Sequence, residues 1–392
     1  MKSTAKDVLQ YVEENDVKFV KLTFCDLFGR QKNVSIVSQQ LPSIFENGYL
    51  FNSSAVPGFM SCADDLLLFP DPKTLSVLPW RPQMGEVVSV LTNIKRPNGS
   101  FYESDAMHIL EVAAAKLAKK GLACEIGTEC EFYVFKLDSE GNPTYTPIDN
   151  GGYCDSSPDD GGENIRRDII LSLEDMGIVP TASHHEMGPG QNEIDFMPTE
   201  PYAAARNLLY FKSAVKNICR LSGMHASFEP KPLREHVGSG LRILVTLEGI
   251  GGKASQDALN AFTAGVIGKA DEFIAFSNSV PDSYKLLDER RAPARGINHE
   301  RGSFVRALPS AGGKCRIELN SADCLSNPFL MLALLLEAGI YGIEHGGDVK
   351  GNKLPISLGR ALDNAEKSEW LKSVLGEGVL GEYVAAKREI AE

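Results

Sequence analysis

Leu122-Ala123-Cys124-Glu125-Ile126-Gly127-Thr128-Glu129-Cys130-Glu131-Phe132-Tyr133-Val134-Phe135-Lys136-Leu137 reads as one long strand. A period of two places Glu125, Gly127, Glu129, Glu131 and Tyr133 on the same face. Two acids on one strand face repel unless they are exposed, protonated or bound to a cation. Alone, the pair reads as a solvated face, since charged residues on strands usually meet water. Phe132, Val134 and Phe135 argue for a core strand, where a carboxylate without a partner is costly.

Two further clusters follow. His184-His185-Glu186-Met187-Gly188-Pro189-Gly190-Gln191-Asn192-Glu193 is a strand, a glycine turn and a returning strand, which brings Glu186 and Glu193 together. It also fits an ordinary hairpin with acids at its ends, and His184 and His185 read as packed, hydrogen-bonded core residues. Arg316-Ile317-Glu318 is the third cluster. Converging, the five carboxylates would suit hard divalent cations, the partners that ATP phosphates need. No HExxH and no Cys/His spacing is present, which argues against zinc. Gly251-Gly252-Lys253-Ala254-Ser255 lacks the phosphate-loop pattern and reads as a turn; no GxGxxG occurs. Any ATP would be handled by metals and arginines.

Composition narrows the class. The chain has 392 residues, enough for two domains. A net charge of -12 argues against a nucleic-acid partner, which needs a basic face. Residues 1–16 are mixed in charge and hold no apolar signal region, and the longest apolar run, 329–336, is too short to cross a bilayer. The eight cysteines form no CxxC pair. The expectation is a cytoplasmic protein with reduced, buried thiols and no membrane partner.

The N-terminal part reads as a short helix, then strands at 17–23 and 31–37 around the turn Asp26-Leu27-Phe28-Gly29-Arg30. Short strands follow at 66–69, 75–78 and 86–91, and residues 93–100 are a plausible boundary. Ser104 is placed to cap a helix that Gly121 ends. Helices are expected at 162–176, 201–222, 255–276 and 327–344, and strands at 178–186, 193–197, 224–228, 240–248 and 314–320. Residues 281–302 read as a polar, arginine-rich loop. The mixed order without regular βαβ units favours an α+β fold with an antiparallel sheet.

The first two acid clusters resemble the metal-binding segments of the glutamine synthetase family, and the third matches in part. Phe51-Asn52-Ser53-Ser54 with Pro57-Gly58-Phe59, Phe228-Glu229-Pro230-Lys231-Pro232, Gly238-Ser239-Gly240, Ser283-Tyr284-Lys285, Ala292-Pro293 and Asn327-Pro328-Phe329 resemble further family segments, in order along the chain. The resemblance implies a β-grasp domain at 1–97 and a catalytic α+β domain with a curved antiparallel sheet at 103–392. It implies ATP and Mg²⁺ or Mn²⁺ as cofactors, small-molecule acid and amine substrates, and amide formation through an acyl-phosphate. It implies a homo-oligomeric ring, a hexamer or a double ring, with active sites between neighbours. Glu131, Glu186 and Glu193 would hold one metal, and Glu129 and Glu318 a second. Arg301, Arg306 and Arg316 would bind ATP, with Arg301 catalytic. Gly238, Gly240, Arg242, Arg291 and Asn52 would line the substrate site.

Several positions depart from the family pattern. Arg242 stands where the family has a metal-binding histidine, and a guanidinium is not a metal ligand. It is expected to bridge Glu129 and Glu318 in place of the cation. Leu244 replaces the next family histidine. The acids of the family's ammonium site are Asn52 and Arg291 here, and two substrate-binding arginines are Leu286 and Asn320. The short 343–355 segment and the end at Glu392 argue against adenylylation control and against a double ring. Three readings follow: a carboxylate–amine ligase with substrates other than glutamate and ammonia, a non-catalytic nucleotide-binding relative, and an ordinary glutamate–ammonia ligase.

Overall fold

The computed structural model describes residues 3–59, 62, 64–80, 85–251, 255–289, 297–298, 304–311, 314–346 and 354–391, and these form two sheets with their helices. The first helix, α1 (Ala5–Glu14), starts at a capping box in which Thr4 and Asp7 satisfy each other's backbone N–H. A hairpin, β1 (Phe19–Cys25) and β2 (Gln31–Val37), follows, then α2 (Leu41–Asn47), β3 (Tyr49–Phe51), β4 (Leu66–Pro70), β5 (Ser76–Val77) and β6 (Val87–Lys95). The strand order is β2-β1-β6-β4-β3, with β5 also on β6; β1 and β6 run parallel. This is the expected β-grasp domain.

The second part contains α3 (Ala106–Lys119), β7 (Leu122–Leu137), β8 (Pro143–Pro147), α4 (Glu163–Asp175), β9 (Pro180–His185), β10 (Gln191–Phe196), α5 (Pro201–Leu221), β11 (Met224–Ser227) and β12 (Leu241–Gly249). It continues with α6 (Gln256–Ser277), α7 (Pro281–Glu289), β13 (Ile297–Asn298), β14 (Val305–Ala311), β15 (Lys314–Ala322), α8 (Pro328–His345), α9 (Leu358–Lys367), α10 (Glu369–Leu375) and α11 (Glu377–Arg388). The order is β13-β14-β15-β12-β7-β10-β9, with β8 and β11 also on β7. Every pairing is antiparallel except that of β13 with β14.

Alternation along β7 sorts its residues as the sequence requires. Ile126, Cys130, Phe132 and Val134 are buried in the core, where Phe132 lies 5.8 Å from Phe211 of α5 and 5.7 Å from Phe228. The acids take the other face. Behind the sheet, α6 and α8 meet backbone to backbone: a Cβ on Gly265 would lie 2.1 Å from the Ala338 carbonyl, and one on Gly342 would lie 2.1 Å from that of Ala261. By length and composition α8 could cross a membrane, but 78% of it is buried within the fold, which makes it a core helix here.

The two parts are joined at the tip of the first hairpin. Asp26 Oδ1 accepts from the Phe28 and Arg30 N–H groups, and Gly29 turns the chain at φ +83°. Asn327, which caps α8, donates from Nδ2 to the carbonyls of Asp26 and Leu27.

Three local readings are corrected. Asp105, not Ser104, caps α3, because its two oxygens reach the N–H of Met107 and, across the boundary, that of Ile94. Residues 281–289 are helix α7 rather than loop, supported by an Asp282–Lys285 pair one turn apart. Helix α2 occupies a stretch in which no element was expected.

Candidate active site

The acid clusters meet because five strand pairings bring them into register. Glu193 on β10 lies directly opposite Glu131 on β7 and opposite His184 on β9. Asp195 lies opposite Glu129, and Glu129 in turn lies opposite Arg242 on β12. Glu318 on β15 faces Arg306 on β14 and Leu244 on β12. Residues two apart share a face. The sheet therefore presents these acids on one face, with Arg242 and Arg306 among them.

Arg242 is the hub. Its Nη1 bonds Glu129 Oε2, while Nη2 lies 3.5 Å from Glu131 Oε1 and 3.6 Å from Glu193 Oε2. These acids hold the guanidinium's pKa above its usual range against the cost of burial. The expected bridge from Glu129 to Glu318 is not formed. The register places Leu244, one pleat further along β12, opposite Glu318, and Glu318 pairs instead with Arg306 at 2.8 Å.

Glu131 is positioned by its surroundings. Its Oε2 accepts from Gln191 Nε2 at 3.0 Å and from the Gly240 N–H at 2.9 Å. Gln191 is fully buried, donates also to the Gly238 carbonyl and accepts from the Gly188 N–H. Gly238 has no room for a side chain, since a Cβ would lie 2.2 Å from the Pro230 carbonyl. The two glycines thus contribute backbone groups that hold Gln191 and Glu131.

The neighbouring histidines separate to opposite faces. His184 Nε2 lies 3.1 Å from Glu186 Oε1 and 3.7 Å from Glu193 Oε1. His185 is buried, with Nδ1 on the Glu186 carbonyl and Nε2 on Asp149 Oδ1. His184 therefore belongs to the acid cluster rather than to the packed core.

His184, Glu186 and Glu193 offer ligand atoms within 4.8 Å of one another. Glu193 Oε2 is buried and accepts no hydrogen bond. Burial, reinforced by Glu131, Glu186 and Asp195, pushes the Glu193 carboxyl up to about 9 despite Arg242. Buried carboxylates that repel one another beside a histidine make the environment that a hard cation relieves, so this donor set fits a divalent ion. Glu129, Glu193 and Asp195 form a second group of the same size. There Arg242 already supplies positive charge to Glu129 and Glu193, and a second cation fits poorly. A third group, Asp149, Asp160 and His185, is already satisfied: Arg166 binds Asp160, and the Gly190 and Gly161 N–H groups bind Asp149.

The remaining candidates are spread more widely. Arg316 is on β15, two residues before Glu318 and on its face. Asn52 is exposed in the β-grasp domain, where its Oδ1 accepts from the Ser54 N–H and hydroxyl. Leu286 is buried in α7, its Cδ1 2.6 Å from where a Gly238 Cβ would stand. Arg291 and Arg301 lie outside the described residues. Asp195 and Gln191, both on the strand that carries Glu193, had not been singled out for a role.

The model of the glutamine synthetase catalytic domain matches residues 103–392, and that of the glutamine synthetase beta-grasp domain matches residues 16–97. The chain is 36% identical to the glutamine synthetase of Clostridium saccharobutylicum over 98% of its length and 94% of the relative's. It is 37% identical to that of Methanosarcina mazei, over 98% and 93%. Among solved structures it resembles apo GmaS without ligand, with a TM-score of 0.88 and 27% identity over 98% of this chain and 95% of that one. A GmaS/ADP complex gives 0.87 and 26% over the same shares. The chain belongs to the glutamine synthetase family of ATP-dependent ligases, which use divalent metal ions.

Proposed function

We propose that this family member joins a carboxylic acid, glutamate or an analogue, to an amine other than ammonium. The observation that carries the reading is the buried Glu193 carboxylate, which offers a ligand atom within 4.8 Å of those of Glu186 and His184. Mutually repelling acids held together in a core are costly unless something positive binds them. The acid's carboxylate oxygen attacks the γ-phosphorus of ATP and ADP leaves. The amine nitrogen then attacks the acyl carbon, and phosphate leaves as the nitrogen loses a proton.

In this proposal His184, Glu186 and Glu193 hold one Mg²⁺ or Mn²⁺, whose charge neutralises the transferring phosphoryl group. Glu131, fixed by Gln191 and Gly240, supplies negative potential beside that site. Arg242 provides a permanent positive charge between Glu129, Glu131 and Glu193. Arg301, Arg306 and Arg316 are assigned to the ATP phosphates, with Arg301 next to the reaction. Arg291 and Asn52 bring no acid to the amine, which disfavours ammonium and leaves an amine that is already nucleophilic. Residues 1–97 and 103–392 are proposed as the two domains. The exposed position of Asn52 supports a ring in which it serves a neighbouring subunit.

ADP release with ATP and Mg²⁺ tests the reading, across glutamate and related acids paired with ammonium, methylamine and polyamines. Release should require one acid and one organic amine and vanish in Glu193→Gln. Turnover with glutamate and ammonium would restore the ordinary glutamine synthetase reading. The two guanidiniums already matched to Glu129 and Glu318 favour a second reading, a non-catalytic nucleotide binder. Bound nucleotide with no release across the panel would support it.

A further inference from the structure

Behind the catalytic sheet, a cavity of about 730 Å³ opens between α5, the β7–β8 hairpin and β11. Lys216, Arg220 and His225 line it together with Glu229 and the apolar Leu137 and Met224. Lys212, Lys216 and Arg220 are spaced by four residues on α5, so they form one stripe along the helix. Lys212 is accounted for, because its Nζ donates to the carbonyls of Cys324 and Ser326.

Lys216 and Arg220 are exposed at the mouth of the cavity and have no such account. Among the described residues neither forms an ion pair or a polar hydrogen bond. Lys216 Nζ stands 5.8 Å from the Phe228 ring centre, a weak contact at that range. Burial, then the nearby charges of Lys212 and Arg30, push its pKa down. Burial and Lys216 do the same to His225, with Glu229 opposing. Among the described residues Glu229 is the one acid in the lining, and its carboxylate already accepts from the Tyr145 hydroxyl. In a chain of net charge -12, this concavity sets two permanent cations against one acid.

We propose that this cavity binds a small organic or inorganic oxyanion, with Lys216 and Arg220 contacting the carboxylate or phosphate group. Arg220 offers a planar fork suited to two oxygens, and Lys216 a point charge. His225 adds a ring N–H, and Leu137 and Met224 take up a short apolar stem. The site is separate from the carboxylate cluster and does not depend on the ligase reading.

Calorimetric titration of the full chain tests it, with inorganic phosphate in one arm and succinate in the other, at constant ionic strength. A saturable event is expected in at least one arm, and that arm identifies the head group. Its Kd should rise at least tenfold in Lys216→Gln and in Arg220→Gln. It should survive in Lys216→Arg, which keeps the charge and serves as the folding control. The exposed Lys73, changed to Gln, should leave it unaltered. The proposal is overturned if neither anion binds, or if every saturable event persists unchanged in Lys216→Gln.

Discussion

Arg242 lies directly across the β7–β12 pair from Glu129 and shares its guanidinium among Glu129, Glu131 and Glu193. The site's cation demand is thus partly met by a charge the chain itself carries. A tethered guanidinium cannot dissociate, whereas a bound ion comes and goes with concentration.

Replacing Arg242 by Met leaves the acids facing one another. Breaking a buried ion pair typically costs about 3–5 kcal/mol. Arg242 and Glu129 are each 34% exposed at the side chain, so water screens part of the loss. About 1–3 kcal/mol of stability should disappear in metal-free buffer. Saturating Mg²⁺ should restore most of it, because the variant has room for another ion. Urea unfolding with and without Mg²⁺ checks this, and an equal loss in both buffers would count against it.

Gln191 is a positioning residue. Gln191→Ala leaves the Gly238 carbonyl and the Gly188 N–H without their partner and Glu131 with one bond fewer. Each stranded buried group costs about 1–3 kcal/mol, so a loss of about 2–4 kcal/mol is expected. Divalent-ion affinity should fall as well, since Glu131 is freed to turn. Unchanged Mn²⁺ affinity in a folded Gln191→Ala protein would show that Glu131 holds its place without help.

Much of the site was legible in the sequence, and its misreadings have physical causes. Alternation along β7 and the glycine turn at 188–190 mark Glu129, Glu131, Glu186 and Glu193, because local periodicity fixes which face each takes. Applied one step further along β10, the same rule would have found Asp195. His184 was misassigned because adjacent strand residues face opposite ways, so it and His185 cannot share a role. The partner of Arg242 depends on the register between β12 and β15, which slips between Leu241 and Ile243. No local pattern encodes such an irregularity. The basic cavity depends on the packing of α5 against β11, which is equally non-local.

Asp105 links α3 to β6 and should give stability a distinct pH dependence. Burial pushes its carboxyl from the ordinary 3.8 up to about 7, against the pull of the N–H groups it accepts from. Between those values the unfolded chain has lost a proton that the folded chain keeps. The contribution is therefore complete below the ordinary value and declines as pH rises to about 7. Asp105→Ala should be less stable than the native chain by about 2–3 kcal/mol at pH 5, having lost a cap and stranded the Ile94 N–H. The gap should narrow at pH 8, and a gap that widens would contradict the raised value.

Gly29 is where the first hairpin meets the start of α8. At φ +83° a side chain is strained, and a Cβ would come within 2.6 Å of the Asn327 Cα. Gly29→Ala should cost about 2 kcal/mol or more, since the obstacle is backbone that cannot step aside. Proteolysis should then cut more readily near the hairpin tip; an unchanged unfolding midpoint would mean the contact yields easily.

The most direct measurement is the number of Mn²⁺ ions bound per subunit, counted by electron paramagnetic resonance in the native chain and in Arg242→His. One ion is expected in the native protein, at His184, Glu186 and Glu193, and two in the variant, where an imidazole replaces the guanidinium. Two ions in the native protein would show that Arg242 moves aside for a metal and would contradict a centre with a built-in positive charge.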